Sequence, residues 1–349
     1  MKKLEVGILG PTGMVGQRLV SLLENHPWFE LTWLAASERS AGKKYSEACN
    51  WRLREPLPER VRGLPVEECK PGRAPQLLFS SLDSSVAGDV EKDFARAGHA
   101  VVSNSSNYRM DPNVPLLIPE VNPDHLALVR VQRKERGWGG MIVTNPNCTT
   151  VGLVMSLAPL EKTFGLDKVM MTSLQAVSGA GYPGVPTLDI LGNVIPFISG
   201  EEEKVEREAR KLLGRLTDGR VQAAEFALSA QCNRVPVEDG HTESISVSLK
   251  SKATVEDLLE AWRKFRALPQ ERRLPSAPER PIVVRSERDR PQPKFDAQTE
   301  GGMATVIGRV RPCPVLHFKY IALSHNTIRG GAGAALLNAE LMKSEGYLD

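Results

Sequence analysis

Nowhere does this 349-residue chain hold the roughly 18 consecutive apolar residues that a membrane-spanning helix needs, so helical membrane proteins are excluded from the expectations. Cysteine is scarce. Cys49, Cys69, Cys148, Cys232 and Cys313 are odd in number, widely scattered and never spaced as CxxC. That argues against a disulfide framework and against a zinc or other metal site, and for a reducing cytoplasm. Charge of one sign is lacking too, because a formal net charge of +3 is too small to imply a nucleic-acid or membrane-surface partner. The start, Met1-Lys2-Lys3-Leu4-Glu5, has no signal-peptide apolar region or cleavage site, and the chain shows no internal repeat or low-complexity tract. What is present is ordinary for a globular protein: 41% hydrophobic and 25% charged residues, in a length that fits two domains.

Residues 4–9, Leu-Glu-Val-Gly-Ile-Leu, form a short apolar run, as a buried parallel strand does. Gly10-Pro-Thr-Gly13-Met-Val-Gly16 follows, and then a helical pattern over 17–25. Strand, glycine-rich turn and helix in that order open a dinucleotide-binding unit. Glycines let the backbone approach a pyrophosphate, and the helix N-terminus holds it through free N–H groups. The spacing is GxxGxxG rather than GxGxxG, so the general motif is matched only in part. A second strand, 29–36, ends at Ser37-Glu38-Arg39-Ser40 with Lys43 close by. An acidic residue there serves the ribose 2′-hydroxyl of NAD, and an arginine serves the 2′-phosphate of NADP. Arg39, with donors from Ser37 and Ser40, points to NADP, and Glu38 is the dissenting residue. Strands at 76–80, 99–103 and 141–144, with a turn at 80–85 and a helix at 89–97, complete a pattern of alternating elements. It predicts an α/β fold with a doubly wound parallel sheet and its ligand at the carboxyl ends of the strands.

Cys148, in Thr144-Asn-Pro-Asn-Cys-Thr149, stands where the strand 141–144 meets the next helix. The strand end faces the cofactor crevice, and the helix N-terminus favours a thiolate and offers N–H groups to an oxyanion. The other four cysteines have no such setting and read as buried filling. Thiolate chemistry in a redox enzyme implies acyl transfer and a histidine to assist it. Of six histidines, His26, His99, His125 and His317 sit in helix-end or strand contexts. His241, which follows a polar turn and stands seven residues after Arg234, and His325, in Ser324-His-Asn-Thr-Ile-Arg-Gly-Gly-Ala332, both remain candidates on spacing. The stretch 268–294, rich in Pro, Arg and Glu, reads as an exposed connection between a helix at 254–267 and a strand at 303–310. No aromatic residue is interleaved there as a stacking platform, so it is not a nucleic-acid surface.

Over nearly its whole length the sequence resembles the aspartate-semialdehyde dehydrogenases, in their archaeal and fungal-like branch. The resemblance rests on Gly10–Gly16, on the stretches 107–120 and 175–184, on Asn145-Pro-Asn-Cys-Thr149, on Gly200-Glu-Glu-Glu-Lys204, and on the stretches 233–242 and 325–332. It implies a two-domain architecture like that of glyceraldehyde-phosphate dehydrogenase. A Rossmann-type NADP-binding domain would span 1–147 plus 327–349, with the C-terminal helix packing back, and an α+β catalytic and dimerisation domain would span 148–326. The implied reaction is reductive dephosphorylation of aspartyl 4-phosphate to aspartate 4-semialdehyde, in lysine, threonine, methionine and isoleucine biosynthesis. Cys148 would be the acylated nucleophile, His241 the acid/base, and Gln175 the residue orienting the acyl group. Arg234 would bind the α-carboxylate and Glu201 the amino group, while Arg109, Lys204 and Asn147 would handle phosphate. Gly10, Thr12, Gly13, Met14, Val15, Ser37, Arg39, Ser40, Ser178, Gly179 and Asn326 would hold NADP. A homodimer or homotetramer is the implied assembly. By themselves, Lys204 in its charge run and Arg109 before an Asp-Pro turn would pass for ordinary surface residues. The nearest rival reading is a malonyl-CoA or related acyl-CoA reductase, and a non-catalytic NADP-binding subunit is the rival from another class.

Overall fold

The computed structural model describes residues 2–348, so the two ends of the expected nucleotide domain, Met1 and Asp349, lie outside the described residues. Two six-stranded sheets organise the chain. The first contains β1 (Leu4–Leu9), β2 (Phe29–Ala36), β3 (Val66–Glu68), β4 (Leu77–Ser80), β5 (Ala100–Ser103) and β6 (Met141–Thr144), in the order β3-β2-β1-β4-β5-β6 with all pairs parallel. This is the doubly wound order. The strand order reverses between β1 and β4, which opens a crevice at their carboxyl ends. β4, β5 and the edge strand β6 are buried along their whole length, as their continuous apolar runs require.

The second sheet is mixed. It holds β7 (Leu166–Gln175), β10 (Ala227–Arg234), β11 (His241–Leu249), β12 (Ile282–Val284), β13 (Thr305–Pro312) and β14 (Phe318–Ser324), in the order β10-β7-β11-β14-β13-β12. A small hairpin, β8 (Arg215–Thr217) and β9 (Arg220–Gln222), lies apart. One face of this sheet packs on the helices Cys148–Phe164, Glu201–Leu212 and Val255–Lys264, and its core joins Leu153, Leu157, Val205, Leu258 and Trp262 to Met171, Ile245 and Tyr320. The alternation along β7 leaves Met170 and Leu174 on the other, open face.

At its end the chain returns to the first domain. The helix Gly333–Ser344 buries Leu336, Leu337, Leu341 and Met342 in one core with Val6, Ile8 and Leu19. His26 Nε2 lies 2.8 Å from Glu340 Oε1, and Ser276 also bonds that carboxylate, which fastens the returning helix.

Two sequence expectations change. The helix expected at 89–97 begins at Ser84, because Asp83 caps it by accepting the Ser85 N–H (2.9 Å). The stretch 268–294 is more than an exposed connection. It carries β12, the edge strand paired parallel with β13, and it buries Leu274, Ile282 and Val283. Dense Arg and Pro flanks hid a three-residue strand too short for a visible period. Among the described residues no helix is long and apolar enough to cross a membrane.

Candidate active site

The glycine-rich turn leaves β1 at the crevice. Gly10 has φ +77, and a Cβ there would lie 2.8 Å from the Ser81 carbonyl oxygen; a Cβ on Gly16 would lie 2.2 Å from the Gly10 oxygen. Both positions therefore require glycine. Gly13 is different, since a Cβ there would meet only the Gly10 oxygen at 3.9 Å, which leaves open space in front of the helix Met14–Leu23. Gly13 is also the N-cap of that helix and supplies no side-chain cap, so the first N–H groups keep their hydrogen-bonding capacity. Tyr45 donates to the Pro11 carbonyl (2.8 Å) and Gln17 to that of Thr12 (2.8 Å), fixing the turn from behind. A pyrophosphate fits this cradle, and the residues present suit a dinucleotide. Thr12, Met14 and Val15 of the turn are half-buried, while Ser37 and Arg39 are exposed and Ser40 half-buried just after β2.

Ser178 and Gly179 lie on the short turn Val177–Ala180 after β7. A Cβ on Gly179 would stand 2.8 Å from Arg234 Nη1 and 3.1 Å from His241, so glycine is needed for close approach. Asn326 donates to Ser178 Oγ (2.8 Å) and accepts the Gly240 N–H (2.8 Å). Its amide thus ties the turn to the loop before His241, and those bonds compete with any contact to a cofactor amide.

Sheet register assembles the chemistry. β10 pairs with β7 so that Arg234 is opposite Gln175, and β11 runs antiparallel on the other side with Thr242 opposite Leu174. Arg234, Gln175 and His241 thereby reach one end of one buried face, under the N-terminus of the helix Cys148–Phe164. His241 Nε2 lies 3.3 Å from Cys148 Sγ, and the Ala176 N–H donates to His241 Nδ1 (3.1 Å). His325 is also buried, but its Nε2 lies 4.0 Å from Asp239, with no bond to the thiol. Burial, with Arg234 and His325 adding, lowers His241 to about 3, and it is neutral at pH 7.

The thiol behaves otherwise than its helix-start position predicts. Burial pushes Cys148 up to about 12, Glu201 adds to the rise, and Arg109 and Arg234 pull against it. Asn147 caps this helix end. Its Oδ1 accepts the N–H groups of Thr149 (2.8 Å) and Thr150 (3.1 Å), so the helix end spends those donors on its own cap. Asn147 Nδ2 donates to Glu201 Oε1 (2.9 Å), which leaves little of this side chain for phosphate.

Along the helix Glu201–Leu212, Glu201, Lys204, Glu208 and Lys211 recur at helical spacing. Glu208, absent from the sequence candidates, accepts both Arg109 Nη1 (3.1 Å) and the Asn147 N–H (2.6 Å). Arg109 also donates to the Asn104 carbonyl (2.6 Å). Lys211 donates to the carbonyls of Arg109, Asp111 (both 2.7 Å) and Val114 (3.0 Å), clamping that loop. Burial lowers Lys211 to about 8, yet three acceptors call for the three N–H bonds of the ammonium form, so it is charged at pH 7. Lys204 is half-buried on the same helix, and Gln175 donates to Ser173 Oγ (3.1 Å). Sequence reasoning also missed Gly330, where a Cβ would lie 2.7 Å from that of Cys148, and the buried pair Arg329–Glu120 beside it. The advance signals were the seven-residue spacing from Glu201 to Glu208 and the presence of Glu120, Arg329 and Gly330 in the stretches 107–120 and 325–332 that carry the resemblance.

Two family models match the chain: "Semialdehyde dehydrogenase, NAD binding domain" over residues 5–129 and "Semialdehyde dehydrogenase, dimerisation domain" over residues 157–329. The aspartate-semialdehyde dehydrogenase of Methanothermobacter thermautotrophicus is 51% identical, across 97% of this chain and 99% of its own. That of Archaeoglobus fulgidus is 50% identical, across 98% and 99%. The crystal structure of aspartate-semialdehyde dehydrogenase with NADP from Candida albicans superposes with a TM-score of 0.91 at 44% identity, covering 99% of each chain.

Proposed function

This chain belongs to the aspartate-semialdehyde dehydrogenases of the semialdehyde dehydrogenase family, and from that premise we propose how its residues carry out the reaction. It is an NADP-dependent enzyme of amino-acid biosynthesis that converts aspartyl 4-phosphate to aspartate 4-semialdehyde through a cysteine thioester. A malonyl-CoA or related substrate is not favoured, because the relatives and structural neighbours are aspartate-semialdehyde dehydrogenases. The observation that carries the reading is the approach of Cys148 Sγ to His241 Nε2 at 3.3 Å, beside Arg234 and Gln175. NADPH formation from aspartate semialdehyde plus phosphate, against NADPH oxidation with malonyl-CoA, tests it. Turnover with malonyl-CoA alone would overturn it.

In this proposal Cys148 attacks the acyl carbon and Gln175 orients the acyl group. Arg234, which also donates to the Ala176 carbonyl (2.8 Å), takes the α-carboxylate, and Glu201 takes the amino group. Arg109 and Lys204 take the phosphate, for which Arg109 exchanges its bond to Glu208. Asn147 serves there mainly by capping the helix that presents Cys148. The cofactor, when bound, supplies a hydride to the acyl carbon. The cradle of Gly10, Thr12, Gly13, Met14 and Val15 holds its pyrophosphate, Ser37, Arg39 and Ser40 its 2′-phosphate, and Ser178, Gly179 and Asn326 the nicotinamide side. The nucleotide domain is taken as 1–147 plus 327–349 and the catalytic domain as 148–326.

Removing the Arg39 guanidinium should weaken NADP specifically. Arg39→Ala is expected to raise the Michaelis constant for NADP by about 10- to 150-fold, the equivalent of a hydrogen bond to a charged group, and to leave NAD kinetics nearly unchanged. Steady-state kinetics with both cofactors measure this. Equal efficiency with NADP and NAD in the parent enzyme would transfer the role to Glu38.

A homodimer, alone or paired into a tetramer, is the proposed assembly. The open face of the second sheet exposes Met170 and Leu174, and the nearby segment exposes Leu188 (90%), Leu191 (70%) and Phe197 (69%), a large apolar area for an isolated chain. Light scattering at micromolar concentration should return the mass of two or four chains, and a monomer would contradict the assembly. Five free cysteines support a cytoplasmic location.

A further inference from the structure

We propose that Glu208 is a positioning residue that competes with phosphate for Arg109. It holds the guanidinium while no phosphate is bound and takes it back as phosphate leaves, and so it limits how tightly phosphate is held. The inference rests on the preceding reading that Arg109 and Lys204 take the phosphate, and it adds the group that opposes their grip. Glu208 is 2% exposed at the side chain and uses its two oxygens separately. Oε1 accepts Arg109 Nη1 (3.1 Å), and Oε2 accepts the N–H of Asn147 (2.6 Å), the residue before the nucleophile. The bond to Asn147 ties the carboxylate to the start of the helix that presents Cys148. Of the two partners, only the arginine side chain is free to change sides.

Arg109 is built for such an exchange. Its Nη2 donates to the Asn104 carbonyl (2.6 Å), and Lys211 donates to the carbonyl of Arg109 itself (2.7 Å), which anchors the backbone and one end of the guanidinium. Its Nε is buried and has no hydrogen-bond partner. A buried guanidinium donor without an acceptor points to an anion that supplies one. Turning the guanidinium from Glu208 to phosphate satisfies that donor. Glu208 also stands one helical turn past Lys204, on the stripe that begins at Glu201. With Arg109 drawn to phosphate, the carboxylate stays on Asn147 as a fixed like charge beside a phosphate anion, and their repulsion favours release. Once acyl transfer has freed inorganic phosphate, the same carboxylate recovers Arg109 and closes the cycle.

The full-length enzyme and inorganic phosphate test this. Glutamine at 208 keeps an oxygen for the Asn147 N–H and turns an amide donor toward Arg109, so the competition ends while the cap on Asn147 remains. Glu208→Gln is expected to bind inorganic phosphate about 10-fold more tightly by isothermal titration calorimetry, near the low end for a hydrogen bond to a charged group. The Michaelis constant for phosphate should fall alongside, with little change in that for the semialdehyde, and phosphate should inhibit semialdehyde formation at lower concentration. A residue that only holds the fold would weaken both substrates together. Should the variant fail to fold, a crystal structure of the parent with inorganic phosphate decides, and it is expected to show Arg109 turned from Glu208 to the phosphate. Arg109→Lys tells the two readings apart. Unchanged phosphate affinity in that variant removes Arg109 from the phosphate site and this inference with it. Weakened phosphate in Arg109→Lys, together with unchanged or weaker phosphate in Glu208→Gln, overturns the inference alone, as does a phosphate complex in which Arg109 keeps Glu208.

Discussion

Cys148→Ser should leave the enzyme folded, able to bind NADPH with near-parent affinity, and at least about a thousandfold slower in phosphate-dependent turnover. Serine matches the volume, and the cap from Asn147 to Thr149 and Thr150 does not involve the side chain at 148. Gly330 still fits against it, because the Cβ is unchanged. The loss is chemical. A hydroxyl is far less acidic than a thiol and is a much weaker nucleophile at neutral pH. Even a thiol raised to about 12 by burial and Glu201 is more acidic than an alcohol. The measurement pairs the semialdehyde assay with NADPH titration by fluorescence. Turnover within tenfold of the parent would exclude a covalent route through residue 148, and lost NADPH binding would mean that the substitution disturbed the crevice instead.

Glu120→Gln is expected to cost about 3–5 kcal/mol of stability, the usual penalty for stripping the partner from a buried charge. Arg329 and Glu120 are 1% and 0% exposed at the side chain, and they meet through two parallel bonds, both 2.8 Å. Arg329 Nη2 also lies 3.0 Å from Met155 Sδ, a weak acceptor that cannot replace the carboxylate. At about 2–4 °C per kcal/mol for chains somewhat shorter than this one, the melting temperature should fall by on the order of 10 °C. The effect should reach activity, because Arg329 anchors the turn Ile328–Ala332, and Gly330 of that turn backs onto Cys148. Removing both charges in Glu120→Leu/Arg329→Met should restore most of the stability, since a well-packed apolar pair avoids the desolvation penalty. Denaturant unfolding of the three proteins decides it. A single-variant loss below about 1 kcal/mol would show that the pair is not a structural anchor.

Local pattern made much of this protein legible in advance. A strand buried on both faces must be a continuous apolar run, and a phosphate-binding turn must be built from glycines. The first sheet, the Gly10–Gly16 turn and the placing of Cys148 at a strand-to-helix joint could therefore be read from neighbouring residues alone. Spacing left His241, with Arg234 close before it, and His325 as alternatives; resemblance then chose His241 and added Gln175.

What tertiary structure decided is which distant groups meet, and how that sets their chemistry. The register of β10, β7 and β11 puts residues 234, 175 and 241 at one end of one face, while His325, equally buried, turns toward Asp239. Glu208 looked like part of a solvated charge run until its helix packed against Asn147 and Arg109. The helix start does favour the thiolate, but burial and Glu201 outweigh it and leave the thiol raised. Strand and turn propensities are short-range and recur with a period that a sequence displays. Desolvation, charge pairing and the partners of a buried histidine depend on atoms brought together from elements far apart in the chain, and only the folded packing supplies those distances.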